Sequence, residues 1–237
     1  MIALADAILA RLDEIYPPAA DPVRAAGAAA YMRHQFPFVG LTTPQMTKLN
    51  RAVLAGLAAP TEADLVAVAR ACWARPEREY QYFACAYLRR YVGVGSSALL
   101  TTVRDLITTK SWWDTVDTLA AHTVGPLVAA HPRLVSTMDA WIEDENIWLI
   151  RTAILHQLQY KQRTDAERLF RYCARQAGHR EFFVRKAIGW ALRQYARIDP
   201  ESVRSFVDSH RTVLSPLSIR EATRHLTAAD GPVTGRK

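Results

Sequence analysis

The stretch Lys110-Ser111-Trp112-Trp113-Asp114-Thr115-Val116-Asp117 gathers two indoles and two carboxylates within eight residues. Ser111 has the chemistry of a helix N-cap. With Asp114 three residues on, it reads as a capping box with Asp in place of Glu. On the helix this predicts, Trp113 and Asp117 lie four residues apart and share a face. A ring face attracts a cation, and a fixed carboxylate can stabilise positive charge that develops as a bond breaks, or orient a water. Trp112 points about 100° away from Trp113 on a helix and is expected in the core. Asp114, at the third helical position, is expected to satisfy first-turn amides. A further indole, Trp190, follows Gly189 in a helical run that also carries Arg185, Lys186 and Arg193. A bulky ring after an interior glycine suggests close packing, or a ring held at a groove wall. For Trp113 and Trp190 alike the competing reading is a core residue, which most tryptophans are.

Other chemistries find no support. The seven histidines form no paired metal-ligand spacing. There is no glycine-rich phosphate loop and no Gly-x-Ser-x-Gly elbow, so neither a metal nor a cofactor is expected. Val92-Gly93-Val94-Gly95 reads as an ordinary helix connection.

The elements that must position these residues are helices. Apolar residues recur with helical period through almost every segment, and strand-like alternation is almost absent. Asp21-Pro22, Thr43-Pro44, Asp199-Pro200 and Ser215-Pro216 each pair a cap with a first-turn proline, and Thr164 with Glu167 reads as a capping box. The helices also repeat. Arg151-Thr-Ala153-Ile154 is echoed 34 residues later by Arg185-Lys-Ala187-Ile188, and 35 residues after that by Arg220-Glu-Ala222-Thr223. Stepping back gives Leu119 and then Ala84. A period of this length in a helical chain predicts stacked helix pairs. The expectation is an all-α, HEAT-like helical repeat solenoid with a concave basic face, a single domain over 1–237 of about six helix pairs, and a disordered tail after about residue 227. In this register the position of Arg151, Arg185 and Arg220 is held by Asp117 one repeat earlier. A carboxylate in a basic row opposes phosphate binding and calls for another explanation.

Charge and composition narrow the class. Half of the 237 residues are hydrophobic, as in a folded chain. No apolar run reaches the roughly 18 residues of a membrane span, and the N-terminus does not read as a secretory signal. Of the net charge of +7, the segment Lys161–Arg197 accounts for all: ten basic residues against Asp165, Glu167 and Glu181. Such a segment suits a polyanion, while a merely solvated basic face remains the alternative. Cys72, Cys85 and Cys173 are odd in number and fit no metal framework, so they read as buried thiols in a reducing cytoplasm.

Six islands in order carry a family likeness: Tyr31–Gly40, Pro76–Gln81, Lys110–Asp117, Asn146–Arg151, Gln159–Gln162 and Glu181–Trp190. On these the chain resembles the AlkD-type DNA alkylation repair glycosylases over nearly its whole length. The resemblance implies excision of cationic N3- and N7-alkylated purines, such as 3-methyladenine and 7-methylguanine, from double-stranded DNA. It implies catalysis by Asp117, Trp113 and Trp190, with Arg151, Tyr31, Thr43, Lys110, Arg185, Lys186 and Arg193 as DNA-binding residues. A purine already carrying positive charge leaves without a general acid, and the motif offers no lysine nucleophile, so a monofunctional hydrolase is expected. The expected setting is a monomer in the bacterial cytoplasm, associated with the nucleoid and not with a membrane. Two other readings stay open: a catalytically silent solenoid that binds damaged DNA, and a protein-binding scaffold.

Overall fold

The structure is a computed structural model that describes residues 4–224 and 226. The tail expected to be disordered lies outside the described residues. Within them the chain is helical throughout, with fourteen α-helices, and no helix is long and apolar enough to cross a membrane. Two compact units of the chain meet in sequence between Ser111 and Trp112.

The first unit holds α1 (Leu4–Ile15), α2 (Pro22–Tyr31), α3 (Thr43–Leu54), α4 (Glu62–Ala74), α5 (Arg78–Tyr91) and α6 (Leu99–Thr108). Here α1 packs on α3 and α4, α4 on α5 and α6, and α3 on α5. Two buried charged residues at the start of α5 organise the loops. The Glu79 carboxylate accepts the backbone N–H groups of Val39, Gly40 and Leu41 at 2.9, 2.8 and 3.2 Å. Arg78 donates Nη1 to the Lys110 carbonyl at 2.9 Å, and its guanidinium lies 3.8 Å from the Phe36 ring centroid. Removing a partner from such a buried group leaves an unsatisfied charge, a loss of several kcal/mol.

The second unit holds α7 (Trp113–Leu119), α8 (Gly125–Ala130), α9 (Val135–Trp141), α10 (Ile147–Leu155), α11 (Ala166–Arg175), α12 (Phe182–Tyr195), α13 (Pro200–Ser209) and α14 (Pro216–Thr223). A π-helical turn, Ala120–Val124, joins α7 to α8. Helices α7, α10, α12 and α14 stack in that order. Their register positions Leu119, Ala153, Ala187 and Ala222 are all fully buried, as is Ala84 in α5 of the first unit. The alanines among them let successive helix backbones approach, while Leu119 fills the equivalent place on α7 with a larger side chain. Gly189 carries the same logic furthest. A Cβ there would stand 2.5 Å from Glu221 Cβ and 2.9 Å from the Ser218 carbonyl oxygen, so α14 could not seat against α12.

The caps decide where helices begin, and three differ from the sequence expectation. Asp21, Asp199 and Ser215 cap α2, α13 and α14 as expected. At α3 the cap is Thr42, in a reciprocal box with Gln45, and Thr43 is the first helical residue. A tandem pair of threonines offers two caps, and the box needs Gln45 three residues on. At α11 Asp165 caps the helix through Arg168 N, because Thr164 spends its hydroxyl on the Lys161 carbonyl. At α7 the N-cap position is Trp112, in extended conformation. Ser111 instead donates its hydroxyl back to Ile107 O at 2.6 Å, following the left-handed backbone of Lys110, φ +50°. Asp114 still takes a first-turn amide, that of Thr115, at 2.9 Å.

Candidate active site

The stacked helices of the second unit bring α7, α10 and α12 around a pocket of about 340 Å³ lined by Trp113, Asp117, Arg151, Phe182, Phe183, Lys186 and Trp190. Trp113 and Asp117 share the α7 face that the four-residue spacing predicts. Trp190 enters from α12, one residue after the glycine that seats α14. The walls are mostly aromatic, and Asp117 is the carboxylate among the lining residues.

Asp117 is paired with Arg151, its register equivalent one repeat later. Arg151 donates Nε to Oδ1 at 2.7 Å and Nη2 to Oδ2 at 2.8 Å. Its Nη1 donates to the Phe183 carbonyl. The pair explains the carboxylate in the basic row: successive repeats supply a bidentate ion pair. It is also an enclosed one, with side chains 3% and 15% exposed for Arg151 and Asp117. Burial pushes the Asp117 carboxyl above the usual carboxylate range, Arg151 pulls it back, and the nearby Asp114 charge adds to the upward push. The Arg151 guanidinium, expected at a DNA phosphate, is largely enclosed, and three of its five N–H donors go to Asp117 and Phe183.

Phe183 is the buttress that sequence reasoning did not single out. Its ring meets Trp112 edge-on at 5.1 Å and Trp148 at 4.9 Å, while its carbonyl fixes Arg151. Trp112 thus serves packing, as expected, although its buried Nε1–H has no hydrogen-bond partner among the described residues. Phe182, half exposed, stands T-shaped against Phe183 at 5.4 Å and lines the pocket. The adjacent Phe182-Phe183 pair at the start of a helix was the available signal.

The remaining basic candidates are arranged less simply than their number suggests. Lys186 lines the pocket but its Nζ lies 2.6 Å from Glu221 Oε1. Arg193 pairs with the same carboxylate, and hydrogen bonds from Lys186 and then Arg193 hold Glu221 below the usual range. The Arg185 carbonyl accepts the Ser218 hydroxyl at 2.9 Å, and the Arg185 Nε is buried without a hydrogen-bond partner among the described residues. Elsewhere in the basic segment, Arg168 pairs with Asp165, Arg171 with Asp139 and Arg175 with Glu143. Acids outside the segment therefore offset part of the charge counted within it.

Tyr31, Thr43 and Lys110 belong to the first unit. Tyr31 is 73% exposed, and Thr43 is exposed at the start of α3. Lys110 turns inward: its Nζ donates to the Trp73 and Arg75 carbonyls, both at 2.6 Å. Burial, with the Arg78 charge, lowers its pKa. It closes the carbonyl end of α4, the role a cation fills best there. The three cysteines are free and buried, and burial pushes the Cys72 thiol up to about 12. No group of His, Cys, Asp and Glu able to hold a metal occurs among the described residues.

Comparison with known proteins gives a consistent picture. The profile of a family described as DNA alkylation repair enzyme matches residues 16–226. A solved structure described as a predicted DNA alkylation repair enzyme from Enterococcus faecalis is similar to this chain, with a TM-score of 0.81 and 33% sequence identity. The match covers 89% of this chain and 98% of that one. No curated protein matches the chain.

Proposed function

The chain belongs to the DNA alkylation repair enzyme family, and from that premise we propose that it is a monofunctional glycosylase. It hydrolyses the N-glycosidic bond of cationic N3- and N7-alkylated purines in duplex DNA. The observation that carries this reading is the Asp117 carboxylate, held bidentately by Arg151 in a pocket walled by Trp113, Trp190 and Phe182.

The chemistry follows from those groups. The bond from C1′ to the base nitrogen breaks with its electron pair going to the base, which neutralises the base's positive charge. No general acid is needed. Positive charge builds on the sugar, as in other glycoside cleavages. Asp117 stabilises that charge and orients the water whose oxygen bonds to C1′, and its carboxylate relays the released proton to solvent. Trp113 and Trp190 attract the cationic nucleoside through their ring faces, for about 0.5–2 kcal/mol each. Arg151 acts on Asp117: it keeps the carboxylate ionised against burial and fixes its direction. Lys186, its ammonium ion-paired with Glu221, is a poor amine nucleophile, which favours hydrolysis over a Schiff-base route.

The test is incubation with methylated duplex DNA, followed by analysis of free base and strand. Released 3-methyladenine or 7-methylguanine, an intact strand and no borohydride-trapped adduct are expected. Tight binding with no released base would leave a silent damage binder. A trapped adduct lost in Lys186→Gln would replace hydrolysis with lyase chemistry.

A further inference from the structure

We propose that the groove between α3 and α5 in the first unit is a separate contact for the DNA backbone, in which Arg51, Arg89 and Arg90 hold phosphodiester groups of the duplex. The groove has a volume of about 520 Å³, and neither Asp nor Glu lines it. Its three arginines lie in the last turns of α3 and α5. All three are exposed, and none has a carboxylate partner among the described residues, where Arg90 lies 5.3 Å over the Tyr91 ring.

The acids that might have quenched them are engaged elsewhere in this unit. Asp13 pairs with Arg75, Asp21 with Arg24, and Asp105 with Arg70, while Glu79 binds backbone amides. This contrasts with Lys186 and Arg193, which share Glu221. The chain outside 161–197 is balanced in net charge, so what marks the groove is the sorting of charge. Arg51, Arg89 and Arg90 line one groove, and no carboxylate lines it with them.

The rest of the lining adds donors. Asn50 Oδ1 accepts the Tyr16 hydroxyl at 2.6 Å, and its side-chain amide N–H groups remain as donors. Tyr87 is 2% exposed, and its hydroxyl is buried without a hydrogen-bond partner among the described residues, so this residue forms the wall of the groove and is not a donor to it. Phe83 stacks on Tyr87 at 5.9 Å, which gives the groove a rigid aromatic lining. Guanidinium forks match phosphate oxygens bidentately, and a surface with donors but no carboxylate suits a polyanion irrespective of base sequence.

The inference rests on the DNA reading above but makes a separate prediction. Binding to undamaged duplex would be followed by fluorescence anisotropy across a salt series. The proteins are the wild type, Arg51→Gln/Arg89→Gln/Arg90→Gln, each single variant, and the matching triple Arg→Lys variant. As a control for net charge, Arg70, Arg104 and Arg133 are replaced together by Gln. Each groove arginine that displaces a counterion contributes about 0.9 to the slope of log K against log salt, so the Gln triple should flatten it by about 2.7. The Lys triple should keep most of the slope, and the control triple should keep nearly all of it. Base release by the wild type would be assayed alongside. Release with a slope unmoved by the groove variants overturns this proposal and leaves the glycosylase reading intact. A flattened slope without wild-type release supports the groove and sinks that reading. If the groove triple loses only thermal stability, the arginines serve the helix ends and the proposal fails.

Discussion

Replacing Arg151 by Met tests the pair on which the pocket depends. The change removes two charge-assisted donors to Asp117, at 2.7 and 2.8 Å, and the donor to the Phe183 carbonyl. Both partners are largely enclosed, at 3% and 15% exposed, so solvent replaces little of what is lost. Breaking one side of such a buried pair typically destabilises by about 3–5 kcal/mol. At roughly 2–4 °C per kcal/mol for a chain of this length, that is a fall in Tm of about 6–20 °C. Protonation of Asp117 lets the protein escape part of this loss. Arg151→Met should therefore fold at neutral pH with Asp117 more protonated, release base slowly, and regain rate as pH rises. Asp117→Asn should show no such rescue. Thermal unfolding of both single variants and the double variant, with single-turnover release from pH 5 to 9, would measure this. The double variant should recover part of the summed loss, a coupling of up to about 3 kcal/mol. A stable Arg151→Met protein with an unmoved pH profile would refute the argument.

Other consequences follow from the same geometry. In the wild type, burial raises the Asp117 pKa in the folded state, so between its unfolded and folded values the native chain binds the extra proton. This group's contribution to stability should therefore fall as pH rises through that window, while base release climbs. Stability and rate titrations that move together, or a window unchanged in Asp117→Asn, would contradict this. If Trp113 and Trp190 act through their ring faces, Trp→Phe should be milder than Trp→Leu, and losses should be larger for a cationic lesion than for a neutral 3-deaza analogue. Equal losses on both analogues, with about 3–5 kcal/mol of destabilisation on truncation to Ala, would make the rings packing alone. Gly189→Ala puts a Cβ 2.5 Å from Glu221 Cβ, so unfolding in urea should reveal a loss of about 1–3 kcal/mol; an unchanged midpoint would show that α14 can shift freely.

Much of this architecture is legible in the amino-acid sequence. The period of 34–35 residues located Leu119, Ala153, Ala187 and Ala222, which are fully buried on successively stacked helices. The four-residue spacing placed Trp113 and Asp117 on one pocket wall, and Gly189 announced the close approach of α14. What the sequence hid was pairing between repeats. Asp117 looked like an interruption in a basic row, because only stacking of α7 on α10 reveals its partner to be Arg151. Glu221 is hidden for the same reason: its partners Lys186 and Arg193 lie on the preceding repeat. Lys110 sits in the tryptophan motif, yet its left-handed backbone turns the ammonium onto α4. Caps failed where two side chains competed for one role, as at Thr42 and Thr43, or where a hydroxyl had a better partner behind it, as at Ser111. Each failure lies in a tertiary choice that local propensity does not encode.

The most direct test is the single-turnover rate of 7-methylguanine release from a methylated duplex, with protein in excess, for the wild type and Asp117→Asn. Circular dichroism and duplex binding would establish that the variant is folded and occupied by substrate. Loss of a positioned charge stabiliser commonly lowers the rate by about 10²–10³. The account predicts a fall of that order, with affinity for undamaged duplex largely kept. A folded, DNA-bound Asp117→Asn protein that releases base at the wild-type rate would contradict it.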